Sequence, residues 1–173
     1  MSQTPITLAD YDPDWPAAFD AEASHIESVI GEHIERIEHI GSTAVPGLPA
    51  KPIIDIMVGL DALADAARCL GPLEALGYEY VSTFEDVMPE RRYLRKSEGD
   101  TRTHHLHMVE TASDFWERHL AFRDYLRTHP EVAADYADLK RDLAAAHPHD
   151  IGAYTDGKDD FIRRVERQAL TDQ

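Results

Sequence analysis

Cysteine occurs once in this 173-residue chain, at Cys69, so no internal disulfide framework can form. Cys69 lies in the apolar, helix-like stretch 63–70 and reads as a buried thiol of the core rather than a nucleophile. Lysine is nearly as scarce. Lys51, Lys96, Lys140 and Lys158 are the only lysines among 17 cations, and all other cations are arginine. Positive charge as a whole is short: 33 acids outweigh those 17 bases, for a formal net charge of -16. Such a surface repels DNA, RNA and anionic membranes, so neither nucleic acid nor a membrane is the expected partner. A phosphorylated ligand would have to meet a local basic pocket. Long apolar runs are absent too, and Met1-Ser2-Gln3 opens no leader pattern, so the expected location is cytoplasmic. An Asp-rich, Lys-poor surface suits high salt, where charge is screened; a GC-rich coding bias gives the same composition.

What is present suffices for one compact unit, since 43% of the residues are hydrophobic. Ile6-Thr7-Leu8 reads as a short strand. Asp14 and Pro16 open a helix carrying Phe19, Ala23, Ile26 and Ile30 at helical spacing up to Gly31. Ile34, Ile37 and Ile40 belong to a strand that ends in Gly41. After a tight turn, Ile53-Ile54-Asp55-Ile56-Met57-Val58 is a second strand. Asp61 is placed to cap a helix through Leu70, with Gly71-Pro72 as an interruption. Tyr78, Tyr80 and Val81 form a strand. Arg91 to Lys96 and His104 to Glu110 form an antiparallel pair about the turn Ser97-Glu98-Gly99-Asp100. From Ser113, a candidate N-cap, the pattern becomes helical, with breaks at His129-Pro130 and Pro148-His149-Asp150 and an interruption at Gly157. The expected class is α/β (α+β): a mixed sheet core over residues 1–112 and a helical lobe over 113–173, with a ligand cleft between them.

Five groups of residues carry chemistry. Gly41 lets backbone approach a ligand, and Ser42 either bonds a phosphate oxygen or, with Thr43, caps the short helix that Pro46-Gly47 stops. Asp55 is a carboxylate in an apolar strand, facing the same side as Met57; it needs a cation, main-chain amides or an arginine. His105 and His107 share one strand face and could hold a metal or a phosphate, or divide between core and surface. Arg91, Arg92, Arg95, Lys96 and Arg102 crowd one hairpin, either as a phosphate grip or as a solvated face paired with acids such as Glu90. Tyr154 and Lys158 stand four apart on one helix face, and with Lys140 they are either surface residues or ammonium groups wanted for themselves.

Several of these stretches resemble the GrpB family: Ile40-Gly41-Ser42-Thr43-Ala44-Val45-Pro46-Gly47-Leu48, Ala50-Lys51-Pro52-Ile53-Ile54-Asp55-Ile56, Arg91 to Lys96, His105-Leu106-His107, Phe122 to Leu126, Tyr136 with Lys140, and Tyr154 with Lys158. The match is collinear over nearly the whole chain. The resemblance implies a nucleotidyltransferase-like fold of the DNA polymerase β type. In that pattern Gly41 and Ser42 match the turn that holds nucleotide phosphates, and Asp55 matches the first carboxylate of a pair that binds two Mg²⁺ ions. Met57 stands where the second carboxylate belongs, and the third strand position offers His105 and His107 in place of an acid. One Asp and two His suit Zn²⁺ or Mn²⁺ better than Mg²⁺.

The expected function is therefore metal-assisted transfer of a nucleotidyl or phosphoryl group to a small acceptor. Asp55 would be catalytic, with a divalent ion (Mg, Mn or Zn) on Asp55, His105 and His107. Gly41, Ser42, Thr43, Lys51, Arg92, Arg95, Lys140, Tyr154 and Lys158 would hold the phosphates of a nucleoside triphosphate. The alternatives are a non-catalytic binder of a nucleotide or phosphorylated metabolite on the same fold, and a single-metal hydrolase built on the histidine pair.

Overall fold

A computed structural model describes residues 5–171; Met1-Ser2-Gln3, where no leader pattern is read, lies outside them. Five strands make one mixed sheet in the order β1-β2-β5-β4-β3. They are β1 Arg36–Ile40, β2 Ile54–Leu60, β3 Tyr78–Val81, β4 Arg91–Glu98 and β5 Thr101–Glu110. The helices are α1 Trp15–Ile30, α2 Ala66–Ala75, α3 Asp114–Thr128, α4 Pro130–Ala146, α5 Ile151–Asp156 and α6 Asp159–Thr171. Only β2 and β5 run parallel; every other neighbouring pair is antiparallel. The chain thus adopts the expected mixed α/β class, with helices closing its C-terminal third.

Period-two alternation sorts the sheet into two faces. Ile54, Ile56 and Val58 of β2 join Leu94, Leu106 and Met108 under α1 and α2, all buried, with Trp15, Ile26 and Ile30 from α1 at helical spacing. Each large apolar side chain removed from water there contributes roughly 1.5–3 kcal/mol. The opposite face buries Ile40, Met57 and Val109 against Phe115 and Trp116 of α3. A third cluster sits among the C-terminal helices, where Leu126, Tyr136, Phe161 and Val165 enclose Val45 and Leu48. The segment after β1 therefore belongs to the helical core as much as to the sheet.

Local chemistry explains where the elements depart from expectation. Ser113 does cap α3, accepting from the Trp116 N–H at 3.2 Å. Asp14 does not cap α1 through its side chain; its own N–H is bound by Asp12 Oδ1 at 2.8 Å. Asp61 is not the cap of the next helix either, because the Leu63 N–H is taken by the Glu110 carboxylate at 2.9 Å. The expected interruption at Gly71-Pro72 does not occur: α2 runs through Pro72. A proline inside a helix costs about 3 kcal/mol, which burial of the neighbouring Cys69 and Leu73 on the sheet offsets. The Cys69 thiol is buried and donates to the Asp65 carbonyl. Ile6-Thr7-Leu8 is not a strand; the Ile6 N–H donates to the Pro148 carbonyl at 2.7 Å, and the β-bridge nearby joins Ala9 and Ala50. The last helical stretch divides at Gly157 into α5 and α6.

Candidate functional site

The parallel register sets Asp55 opposite His105 and Met57 opposite His107, all on the face that looks toward the C-terminal helices. His105 Nδ1 stands 3.3 Å and His107 Nε2 3.5 Å from Asp55 Oδ1. On the other side of the carboxylate lies Gly41, with φ +75°; a Cβ there would come within 2.6 Å of Asp55 Oδ2. Only glycine combines that backbone angle with so close a neighbour. Burial alone would raise the Asp55 carboxyl, but hydrogen bonding by His105 and His107 outweighs it and holds the group well below the ordinary carboxylate range.

Arg91 fixes the state of one imidazole. Its Nη1 lies 3.2 Å from His107 Nδ1. A guanidinium has no lone pair to offer, so Nδ1 must accept, and the ring hydrogen then sits on Nε2, toward Asp55. Burial pushes His107 down from the usual imidazole range, in keeping with a neutral ring. Tyr93 lies against both histidines, its ring centre 5.6 Å from His105 and 5.4 Å from His107.

Beside Asp55 opens a hollow of about 190 Å³, walled by the turn after β1, by β2 and β5, and by α4 and α5. Three of the four lysines line it: Lys51, Lys140 and Lys158. The fourth, Lys96, is paired with Glu22 at 3.1 Å elsewhere. Among the described residues, no carboxylate lies within 4.0 Å of the three ammonium groups in the hollow. Lys140 is 2% exposed, and its Nζ donates to Ser42 Oγ and to the Pro49 carbonyl, each at 2.7 Å. Lys51 and Lys158 lie 5.7 and 4.6 Å from the centre of the buried Tyr154 ring. Burial, and then the charges of Lys158 and Lys51, push Lys140 down to about 7. Burial, and then Lys51, push Lys158 down to about 8; burial also lowers Lys51. The hollow thus gathers three cations, none in a direct ion pair among the described residues, around the lining carboxylate of Asp55 in a strongly acidic chain.

Of the residues singled out in the sequence, Ser42, Thr43, Lys51, Asp55, His105, Lys140, Tyr154 and Lys158 line this one hollow. Gly41 adjoins it beneath Asp55, and His107 stands on Asp55's other flank. Thr43 contributes wall but not a free hydroxyl, since its Oγ1 is 2.9 Å from Nε2 of the buried His39. Arg92 and Arg95 are not brought there. Arg95 grips Glu79 on neighbouring β3 through two bonds, at 3.0 and 3.2 Å. Arg92 faces Glu85 at 3.3 Å and donates to the Pro89 carbonyl at 3.0 Å. A guanidinium already holding a carboxylate has little to offer a phosphate, so for these two the paired-hairpin alternative is the one realised, with different acids from Glu90.

The residues present do not fit the ion set that the fold pattern implies. Met57 is fully buried between Ile40, Val109, Phe115 and Trp116, so no second carboxylate faces the hollow from β2. His107 is held by Arg91 in the form whose Nε2 carries hydrogen and has no lone pair for a metal. Among the described residues, no group of three or more His, Cys, Asp or Glu side chains is arranged to hold a metal ion.

Other contributors carry no local signal. Arg127 Nε donates to the Ala44 carbonyl at 2.9 Å, and Arg123 Nη1 to the His39 carbonyl at 3.1 Å and to Glu38 at 2.8 Å. The two arginines stand one helical turn apart on α3 and clamp the turn from outside. Only that four-residue spacing was available in the sequence to suggest a shared task. No helix among the described residues is long and apolar enough to cross a membrane.

Known proteins resemble this chain in sequence and fold. The family model described as GrpB protein matches residues 5–168. The chain is 42% identical over 164 residues to UPF0157 protein YqkA of Bacillus subtilis, covering 95% of this chain and 47% of that one. It is 38% identical to the glutamate-rich protein GrpB of Alkalihalophilus pseudofirmus, covering 92% of this chain and 93% of the relative. The chain therefore spans about half of the first relative and nearly all of the second. The crystal structure of conserved protein GrpB from Enterococcus faecalis superposes with a TM-score of 0.88 at 41% identity, over 96% of this chain and 98% of that one. Cid1 in complex with its short product ApU superposes with a TM-score of 0.51 at 15% identity, over 77% of this chain and 42% of Cid1, a likeness of fold alone. With the turn, the strand carboxylate and the histidine pair in place on a nucleotidyltransferase-like sheet, and a family model matched along almost its full length, the chain belongs to the GrpB family.

Proposed function

We propose that this protein binds the phosphates of a nucleotide in the Lys51–Lys140–Lys158 hollow, as a nucleotidyltransferase-like protein. One observation carries the reading: a chain of net charge -16 concentrates three of its four lysines in one cavity and, among the described residues, gives none of them a carboxylate within ion-pair distance. Three crowded, partly desolvated ammonium groups repel one another and lose solvation. A polyanion restores both losses, and a di- or triphosphate matches the number of charges. Ser42 adds a hydroxyl. Asp55, kept ionised by its imidazole neighbours, bars further negative charge from one side and so orients the phosphate chain. The acidic exterior favours a small ligand over RNA or DNA.

Transfer of a nucleotidyl group is the chemistry that a nucleotidyltransferase-like fold serves, and it is the second reading. It is favoured by the placement of Asp55 at the cavity wall beside His105. The donor set supplies no two-ion cage, so no step is assigned to a metal.

Calorimetry and thermal shift with the four ribonucleoside triphosphates, pyrophosphate and inorganic phosphate, with and without Mg²⁺, Mn²⁺ and Zn²⁺, test the proposal. The expected result is triphosphate or pyrophosphate binding that persists in a chelator and weakens at least tenfold in Lys158→Met. Absence of binding by every anion, or binding indifferent to Lys158, overturns it.

A further inference from the structure

Ser42 and Lys140 meet in a way that anion binding alone does not require. Lys140 reaches from α4 across 98 positions of sequence to place Nζ 2.7 Å from Ser42 Oγ. It is 2% exposed, so it is the least accessible of the three lysines for touching a ligand directly. Its second hydrogen bond, to the Pro49 carbonyl at 2.7 Å, fixes the amine in place whether or not it is protonated. Tyr136 stands behind the pair, its ring centre 5.1 Å from Nζ. Ser42 itself lies on the wall of the hollow, with Lys51 and Lys158 in the same lining.

We propose that Ser42 is a covalent acceptor: resting on the nucleotide-binding reading above, its hydroxyl takes a nucleotidyl group from a bound nucleoside triphosphate, with Lys140 as the base. The Oγ–Pα bond forms as the bond from Pα to the bridging oxygen of the β-phosphate breaks. Pyrophosphate leaves with that electron pair, and the Ser42 proton passes to the Lys140 amine, which becomes an ammonium. The product is a phosphodiester on Ser42. Lys51 and Lys158 supply positive charge beside the departing pyrophosphate.

The geometry meets the two demands on such a pair. A serine hydroxyl is a weak nucleophile until a base sits within hydrogen-bond reach, and here the base is at 2.7 Å. A lysine serves as base only when its environment disfavours the ammonium, and for Lys140 burial together with the charges of Lys158 and Lys51 outweighs the attraction of Asp55 and places its titration at about 7.

The test is intact-mass spectrometry of the full chain after incubation with each ribonucleoside triphosphate, with and without Mg²⁺, beside calorimetry of the same preparation. The expected result is a gain of one nucleoside monophosphate, mapped by fragmentation to the peptide bearing Ser42 and absent in Ser42→Ala. The rate should rise with pH through about 7 and fall about 100-fold or more in Lys140→Arg, which keeps a donor beside Ser42 but cannot accept a proton. Circular dichroism melts check that each variant folds, and fragment mapping on the wild type stands independently of them. Triphosphate binding without any mass gain overturns the acceptor role and leaves the binding reading standing. A gain that maps elsewhere or survives in Ser42→Ala does the same, as does a native rate in Lys140→Arg for the base. Neither binding nor mass gain overturns both.

Discussion

Arg91 and His107 are joined by a 3.2 Å contact from guanidinium to Nδ1, and that contact decides which imidazole nitrogen carries the hydrogen. Nitrogen-15 spectra should show Nδ1 of His107 as an acceptor and Nε2 as protonated at neutral pH. Arg91→Met releases the constraint, frees Nε2 to become a lone-pair donor, and should raise Zn²⁺ affinity tenfold or more over the wild type. Equal Zn²⁺ affinity in both proteins would refute the assignment.

Gly41 and Asp55 cannot both keep their places if a methyl group is added between them. Gly41→Ala meets Asp55 Oδ2 at 2.6 Å and also strains a backbone that only glycine adopts freely. The expected loss is about 3 kcal/mol in urea unfolding, from strain and displaced carboxylate together. Gly47 also has a positive φ but has nothing within 4 Å of a Cβ, so Gly47→Ala should cost clearly less.

Lysines crowded together and partly desolvated weaken the fold that holds them. Lys158→Met removes a desolvated ammonium while keeping packing against Tyr154, so it should raise the thermal midpoint of the free protein even as it lowers pyrophosphate affinity. A variant that loses stability and affinity together would show that Lys158 serves the fold instead.

Stability should climb with pH on both sides of neutrality. Burial holds His39 and His119 down to about 4 against an ordinary 6.5. Between those values the unfolded chain binds more protons than the folded one, so acidification costs about 3 kcal/mol for each histidine. Lys140 and Lys158, at about 7 and 8 against 10.5, give the same sign on the alkaline side. There the charged form is disfavoured in the fold, and the penalty lifts as pH rises toward 10.5. Urea midpoints measured from pH 4 to 10 check both limbs, and Lys140→Met should flatten the alkaline one.

Salt bears on the whole surface. Screening the self-repulsion of a net charge of -16 should raise the melting temperature as KCl goes from low to molar concentration. A midpoint that does not move with KCl removes the case for a salt-adapted surface.

Sequence pattern made the sheet and one side of the site legible, because alternation in Ile53 to Val58 and His104 to Met108 fixes which side chains share a face. It could not show that Arg92 and Arg95 were already taken, since Glu85 and Glu79 come from outside β4 and a charge run does not reveal its partners. Pro72 misled for a related reason: helix propensity is local, whereas the burial of Leu73 that keeps α2 intact depends on the sheet. The convergence of Lys140 on Ser42 spans 98 positions, and the grip of Arg127 on Ala44 spans 83. Contacts of that reach leave no periodic trace. Scarcity of lysine and the GrpB-like stretches are the sequence-level signs that group Lys51, Lys140 and Lys158.

Val45 and Leu48 lie in the helical core, although they are chain neighbours of the sheet's first two strands. A cut between β5 and α3 would therefore strip the cover from both residues and leave the helices without two of their own wedges. The two parts are not cassettes to be traded between proteins. A change in size at either wedge must be answered on α4 or α6, so mutations on the two sides of the cut should be accepted in matched pairs.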